Sequence, residues 1–147
     1  MDIKKEIESW FPNIIGKPFK IFKSNNQFNC VSFTLDIFDC YIWTNESQWP
    51  YNKIPRNSGI DGFKNLYKLY DYIECDSDVY EVGYEKVAFY AKGDIPQHAA
   101  KQFGNMWRSK LGPGCIIEHK LEWLFGHTED AYGEISFIMK RKITNKL

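Results

Sequence analysis

The chain has 147 residues, enough for one domain with a real core and no covalent staples. Lysine plus arginine equals aspartate plus glutamate, 19 against 19, and that balance argues against broad electrostatic binding to nucleic acid. Aromatic content is 17%, with nine tyrosines and five tryptophans, so some rings are expected to line a groove or a partner surface rather than the core.

The opening MDIKKEIESWF carries scattered charges and no apolar stretch, so neither a signal peptide nor a membrane span is expected there. Residues 2 to 10 are predicted to be helical: Ile3, Ile7 and Trp10 share a stripe, Asp2 caps it and Pro12 stops it. Cysteines stand at 30, 40, 75 and 115, with no C-x-x-C pair and no disulfide-framework spacing. They are expected to be free thiols in a reducing compartment, and the protein is expected to be cytoplasmic.

The next stretch is ambiguous. Residues 31 to 37 alternate in a strand-like way, and periodicity alone slightly favours a strand. A helix starting at Cys30 is the alternative, with Asn29 as N-cap and Cys30, Phe33, Ile37, Phe38 and Tyr41 on its buried face. Residues 41 to 57, with Trp43, Trp49, Pro50, Tyr51 and Pro55, read as an aromatic loop. Residues 59 to 73 are the clearest helix. Phe63, Leu66, Tyr67, Tyr70 and Ile73 follow three-four spacing, and Ser58 with Asp61 resembles a capping box.

The second half reads as strands. EKVAFYA (85–91) sets Val87 and Phe89 against Ala88 and Tyr90, and GDIP (93–96) turns the chain. QHAAKQF follows, then a short GN turn, then MWRSKL, closed by GPG at 112 to 114. A last strand, GEISFIMKR (133–141), places Ile135, Phe137 and Met139 on one face. Helices first and an antiparallel sheet afterwards predict an α+β fold, and the lack of repeats or linkers predicts a single domain over 1–147. The one basic cluster, Lys140, Arg141, Lys142 and Lys146, is terminal and reads as a solvated end.

Residues 83 to 114, GYEKVAFYAKGDIPQHAAKQFGNMWRSKLGPG, resemble the hallmark block of a family of small, functionally uncharacterised bacterial domains. Asn29-Cys30, Trp49-Pro50, the Ile117-Glu118-His119 triplet and Tyr132-Gly133 match further marks of that family. One level further out, the layout is similar to papain-like cysteine hydrolases of the NlpC type. That resemblance implies N-terminal helices packed on an antiparallel sheet, a nucleophilic Cys30 at a helix N-terminus and a histidine base on the sheet. With the Asn29 cap, it predicts a helix over about 29 to 40. The match departs from the NlpC pattern at one place. The position of the base holds Glu85, and His98 falls where the orienting residue would be. Either His98 takes the base role with altered geometry, or the scaffold persists without its chemistry.

Two readings follow. In the first, Cys30 attacks the carbonyl of a peptide, amide or acyl substrate and His98 shuttles the proton, with His119 orienting His98. Backbone amides at the helix start, helped by Gln27, would hold the oxyanion. Trp49 and its loop would shape the pocket, and Lys110 would face an anion. A helix end and a facing histidine would also lower the Cys30 pKa below about 8.5. In the second reading, a catalytically silent module binds a protein or small ligand, as in a bacterial toxin, immunity or phage-defence system. Each residue has a plainer role beside the functional one. Cys30 can be a buried structural thiol, His98 a hydrogen-bonded groove residue, and His119 the partner of a buried carbonyl. Trp49 can pack its loop on the core, and Lys110 can be one charge on an exposed strand face. No cofactor and no metal are expected. Cys115 and His119 have a zinc-like spacing with His127 nearby, but no fourth ligand is evident. Nucleic acid and membrane are not expected as partners.

Overall fold

Asp2 starts the first helix as the composition suggests: its carboxylate accepts from the Lys4 N–H, and α1 runs over Ile3–Trp10. The computed structural model describes residues 2–45, 47–51, 54–55, 59–112 and 114–143. Ile7 is the residue of the α1 stripe that is fully buried, and Pro12 opens a short 3-10 turn over Pro12–Ile14.

The other elements are β1 (Lys20–Lys23), α2 (Cys30–Thr34), α3 (Gly59–Leu69), β2 (Ile73–Cys75), β3 (Tyr84–Lys92) and β4 (Ile95–Phe103). They are followed by β5 (Met106–Leu111), β6 (Cys115–His119), a 3-10 turn over Leu121–Leu124, and β7 (Glu134–Lys142). The strands form one seven-stranded sheet in the order β1-β6-β5-β4-β3-β7-β2, and every pairing in it is antiparallel. The fold is α+β. Among the described residues, no helix is long and apolar enough to cross a membrane.

Each face of the sheet carries a core, and the alternation of β3 assigns its residues to them. Ala88 and Tyr90 join Ile7, Phe11, Trp107 and Leu124 on one face. Val87 and Phe89 join Val31, Phe63, Leu66 and Tyr67 on the other, where α2 and α3 lie. Phe63 and Phe137 both pack on Phe89, at ring-centroid distances of 4.6 and 5.0 Å.

Two bulges modify the simple alternation. In β3–β4, Tyr90 faces His98 and Ala91 faces Pro96, so Gln97 is the extra residue. In β3–β7, Phe89 faces Phe137 and Tyr90 faces Ile135, so Ser136 is the extra one. A bulge reverses the facing of everything beyond it. Ile135 therefore packs on the face opposite to Phe137 and Met139, which corrects the single-faced strand expected from sequence.

The helix around Cys30 forms, but it is shorter than the 29 to 40 expected. Asn29 caps it reciprocally: the Ser32 N–H donates to Asn29 Oδ1 at 3.1 Å, and the Asn29 N–H donates to Ser32 Oγ at 2.9 Å. It ends in a Schellman motif, with the Ile37 N–H on the Ser32 carbonyl and the Asp36 N–H on that of Phe33. Asp36 adopts the left-handed φ of 59° that this motif needs, and Lys101 of β4 holds its carboxylate through two 3.0 Å hydrogen bonds. Phe38, expected in the buried face, is consequently exposed.

α3 likewise stops at Leu69, because Asp71 turns the chain at φ 71°. Ile73, expected on the helical stripe, lies in β2 and is exposed. The Ser58 cap, Pro113 of the GPG turn, Lys146, and residues 46, 52, 53, 56 and 57 of the aromatic loop lie outside the described residues.

Candidate functional site

β4 and β5 pair from Phe103/Met106 to Lys101/Arg108, although β4 begins at Ile95 and β5 continues to Leu111. Beyond Lys101 the two strands part, and α2 lies against both of them. A cavity of about 430 Å³ opens in this fork. Cys30, Gln97, His98, Lys110, Tyr41 and Tyr132 are among its lining residues. The sheet alternation sends His98 toward Tyr90 and Tyr132, whereas Cys30 packs with the core on the α2 face. They reach one cavity because the sheet is open between β4 and β5.

His98 is 2% exposed and stacks on Tyr132, with ring centroids 4.2 Å apart and planes 11° from parallel. Its Nε2 is buried and has no hydrogen-bond partner, Cys30 Sγ included. A buried polar atom left unpaired is costly, and such atoms collect where a ligand or a reacting group completes them. Burial pushes the His98 pKa well below the ordinary 6.5, and the neighbouring His119 acts in the same direction, so the ring is neutral.

Cys30 is half-buried, and burial pushes its thiol up to about 11. The backbone of Ala99, the N–H groups of the first turn and the Lys110 charge oppose that rise without cancelling it. The low pKa expected from sequence is therefore corrected. A helix of one and a half turns has a weak dipole, and the facing imidazole carries no charge to favour a thiolate. The resting pair is thiol and neutral imidazole.

Lys110 is 3% exposed. Its Nζ donates to the carbonyls of Leu111 at 3.2 Å and Gly112 at 3.1 Å, and it lies 5.3 Å from the centre of the Phe28 ring. Burial lowers its pKa, opposed by the Cys115 and Cys30 thiols. It is a buried amine in the cavity wall, in place of the exposed strand charge that alternation suggested.

Three of the residues singled out from sequence, Cys30, His98 and Lys110, thus share the cavity, and three do not. His119 is fully buried: its Nδ1 lies 2.8 Å from the Lys120 carbonyl, and its Nε2 lies 2.7 Å from Ser109 Oγ. Only a protonated Nδ1 can bond a carbonyl oxygen, so Nε2 accepts from the serine, and burial lowers the His119 pKa to about 4. With both nitrogens engaged, His119 does not orient His98. Trp49 donates to the Ile54 carbonyl at 2.9 Å and packs on Phe63, which makes it a core residue of its loop. Gln27 is exposed beside the cavity and is not in its wall.

Glu85, at the place of the base in the NlpC pattern, is paired with Arg141 and Lys101 and lines a different hollow of about 590 Å³. The charges of that hollow largely satisfy one another, since Lys140 pairs with Glu81 and Asp36 with Lys101. Among the described residues, no three His, Cys, Asp or Glu side chains gather as a metal site.

Tyr132 is the residue that site reasoning missed, although the Tyr132-Gly133 dipeptide marked it. Gly133 has φ +78°, and a Cβ there would stand 2.2 Å from the Ala91 carbonyl oxygen. Only glycine lets the chain pass this close to β3, and that passage lays the preceding tyrosine on His98.

The family described as a domain of unknown function (DUF7689) matches residues 21–140, and the chain belongs to it. No curated protein and no solved structure matches the chain.

Proposed function

We propose that this member of a domain family of unknown function is a thiol-dependent hydrolase or acyl transferase of papain-like arrangement, with Cys30 as nucleophile and His98 as base. One observation carries the reading: a half-buried thiol at a capped helix start shares a cavity with a histidine whose buried Nε2 has no partner. Because both groups are neutral at rest, proton transfer accompanies attack instead of preceding it. Cys30 Sγ bonds to the substrate carbonyl carbon, its proton passes to His98 Nε2, and the carbonyl π pair becomes an oxyanion. The Cys30 and Val31 N–H groups, which begin α2 and have no helical carbonyl, would donate to that charge. Collapse expels an amine or alcohol, which takes the proton back from His98. Water or a second nucleophile then opens the thioester by the same route. All four cysteines are free thiols, which supports a cytoplasmic setting.

p-Nitrophenyl acetate tests this. The expected result is an acetyl adduct on Cys30 with a burst of p-nitrophenolate, lost in Cys30→Ser. In His98→Ala the rate falls by roughly 10²–10⁴-fold while the fold is retained. Acetylation of Cys30 no faster than that of the exposed Cys40, and unchanged in His98→Ala, would sink the proposal.

The raised Cys30 thiol and the missing Cys30–His98 hydrogen bond favour a second reading. In it, the cavity is a recognition site without chemistry, binding a protein or small ligand. Retention of ligand binding with no acyl adduct would select it.

A further inference from the structure

Lys110 has no carboxylate partner among the described residues. Its two hydrogen bonds go to neutral carbonyls, and the other groups that bear on it are the face of Phe28 and the thiols of Cys30 and Cys115. The described lining of the cavity contains no aspartate or glutamate, and its other polar side chains, Asn26, Asn29, Tyr41 and Gln97 among them, are uncharged. An ammonium group has three N–H donors, so one is left over in the wall of the cavity that holds Cys30 and His98. Burying a lone charge beside carbonyl oxygens is expensive, and the usual compensation is an opposite charge.

We infer that the compound acted on at Cys30 carries a carboxylate, and that Lys110 is the specificity-determining residue that holds it. A carboxylate fits better than a phosphate. One spare donor on a single point charge balances a monoanion, whereas a phosphate monoester would leave charge unbalanced, because the described lining holds no second cation. The inference rests on the thiol chemistry proposed above, because the anion is placed relative to Cys30. It narrows the substrate class to acyl or amide compounds with an acidic group near the scissile carbonyl.

The test compares two alkylating agents of almost equal size, iodoacetate and iodoacetamide. Their rates at Cys30 in the full-length folded chain are read by peptide mass spectrometry. The iodoacetate-to-iodoacetamide ratio is divided by the same ratio for Cys30 in the urea-unfolded chain, which removes the intrinsic reactivity of the reagents. Anything that merely changes the thiolate fraction affects both reagents alike and cancels. The expected ratio is about tenfold in favour of iodoacetate, since a pair of charges a few ångströms apart in a partly buried site is worth at least that factor. Lys110→Arg should keep the preference, and Lys110→Met should abolish it.

A ratio near one in the folded wild-type chain overturns the inference even if Lys110→Met does not fold. If p-nitrophenyl acetate still acylates Cys30 in that case, the Cys30–His98 reading stands and only the carboxylate is lost. If neither alkylating agent reaches Cys30 in the folded chain, the carboxylate inference and the thiol chemistry fall together.

Discussion

His98 lies flat on Tyr132, ring centroids 4.2 Å apart, and this stack depends on a glycine one residue further along. A side chain at Gly133 would meet the Ala91 carbonyl at 2.2 Å while holding φ +78°, so the chain would have to leave β3 or distort it. Gly133→Ala is expected to destabilise the protein by about 2–4 kcal/mol, since it combines backbone strain with a steric clash. Urea denaturation checks this. Near-ultraviolet circular dichroism should change as well, because Tyr132 would shift off the imidazole. An unaltered midpoint would mean that β7 can move away from Ala91 at little cost.

The end of α2 gives a second prediction. Asp36 sits at φ 59°, where glycine is at ease and β-branched residues are not. Asp36→Val should therefore cost about 1–2 kcal/mol. Asp36→Gly should stay within about 1 kcal/mol of wild type, because the carboxylate it removes is largely exposed and the buried Lys101 keeps Glu85 at 3.5 Å. If both variants lost equal stability, the Lys101 contact and not the backbone would be terminating the helix.

How far the sequence reached is clearest at this same helix. Asn29 and Ser32 announce its start, because a cap is a local hydrogen-bond pattern. Its end was not legible, because the left-handed turn falls on an aspartate and not on the glycine that usually announces such a stop. The strands of the second half were readable from alternation and turns, but β1, β2 and β6 were not. Two of these are sheet edges of three or four residues, whose burial pattern carries little signal. The bulges at Gln97 and Ser136 exist only in the pairing, so the facing of Ile135 was misread. At the site, Cys30 and His98 stood out by residue type. The neutral state of both is a property of burial, which no spacing reveals.

Burial of neutral histidine predicts a stability profile in acid. His119 has a folded pKa of about 4 against an ordinary 6.5, so between those values the unfolded chain binds a proton that the folded chain does not. Stability therefore rises with pH across that window and is lost as pH falls from about 6.5 toward about 4, by about 3 kcal/mol from this residue. His98 acts in the same direction. Urea midpoints measured from pH 7 to pH 4 should fall steadily. In His119→Gln the slope should be shallower, whatever that variant's absolute stability. An identical slope would mean that His119 takes up its proton inside the fold, with Ser109 releasing Nε2.

The last prediction separates a resting thiol from a resting thiolate at Cys30. A preformed ion pair with histidine would make Cys30 the fastest cysteine near pH 6 and would level its rate well below pH 8. With the thiol pushed up to about 11, the opposite is expected. Iodoacetamide should modify the exposed Cys40 before Cys30 at pH 7, and the Cys30 rate should keep climbing through pH 9 without a plateau. His98→Ala should leave this simple alkylation nearly unchanged, because a neutral imidazole does not stabilise the thiolate electrostatically. The same substitution should slow acylation by p-nitrophenyl acetate, where the imidazole is needed to take a proton as the sulfur attacks. That split is the signature of general-base assistance to a neutral thiol. If His98→Ala slowed both reactions equally, the histidine would be setting the thiolate population after all. If it slowed neither, His98 would be a stacked core residue, and the cavity would be left as a place to bind rather than to react.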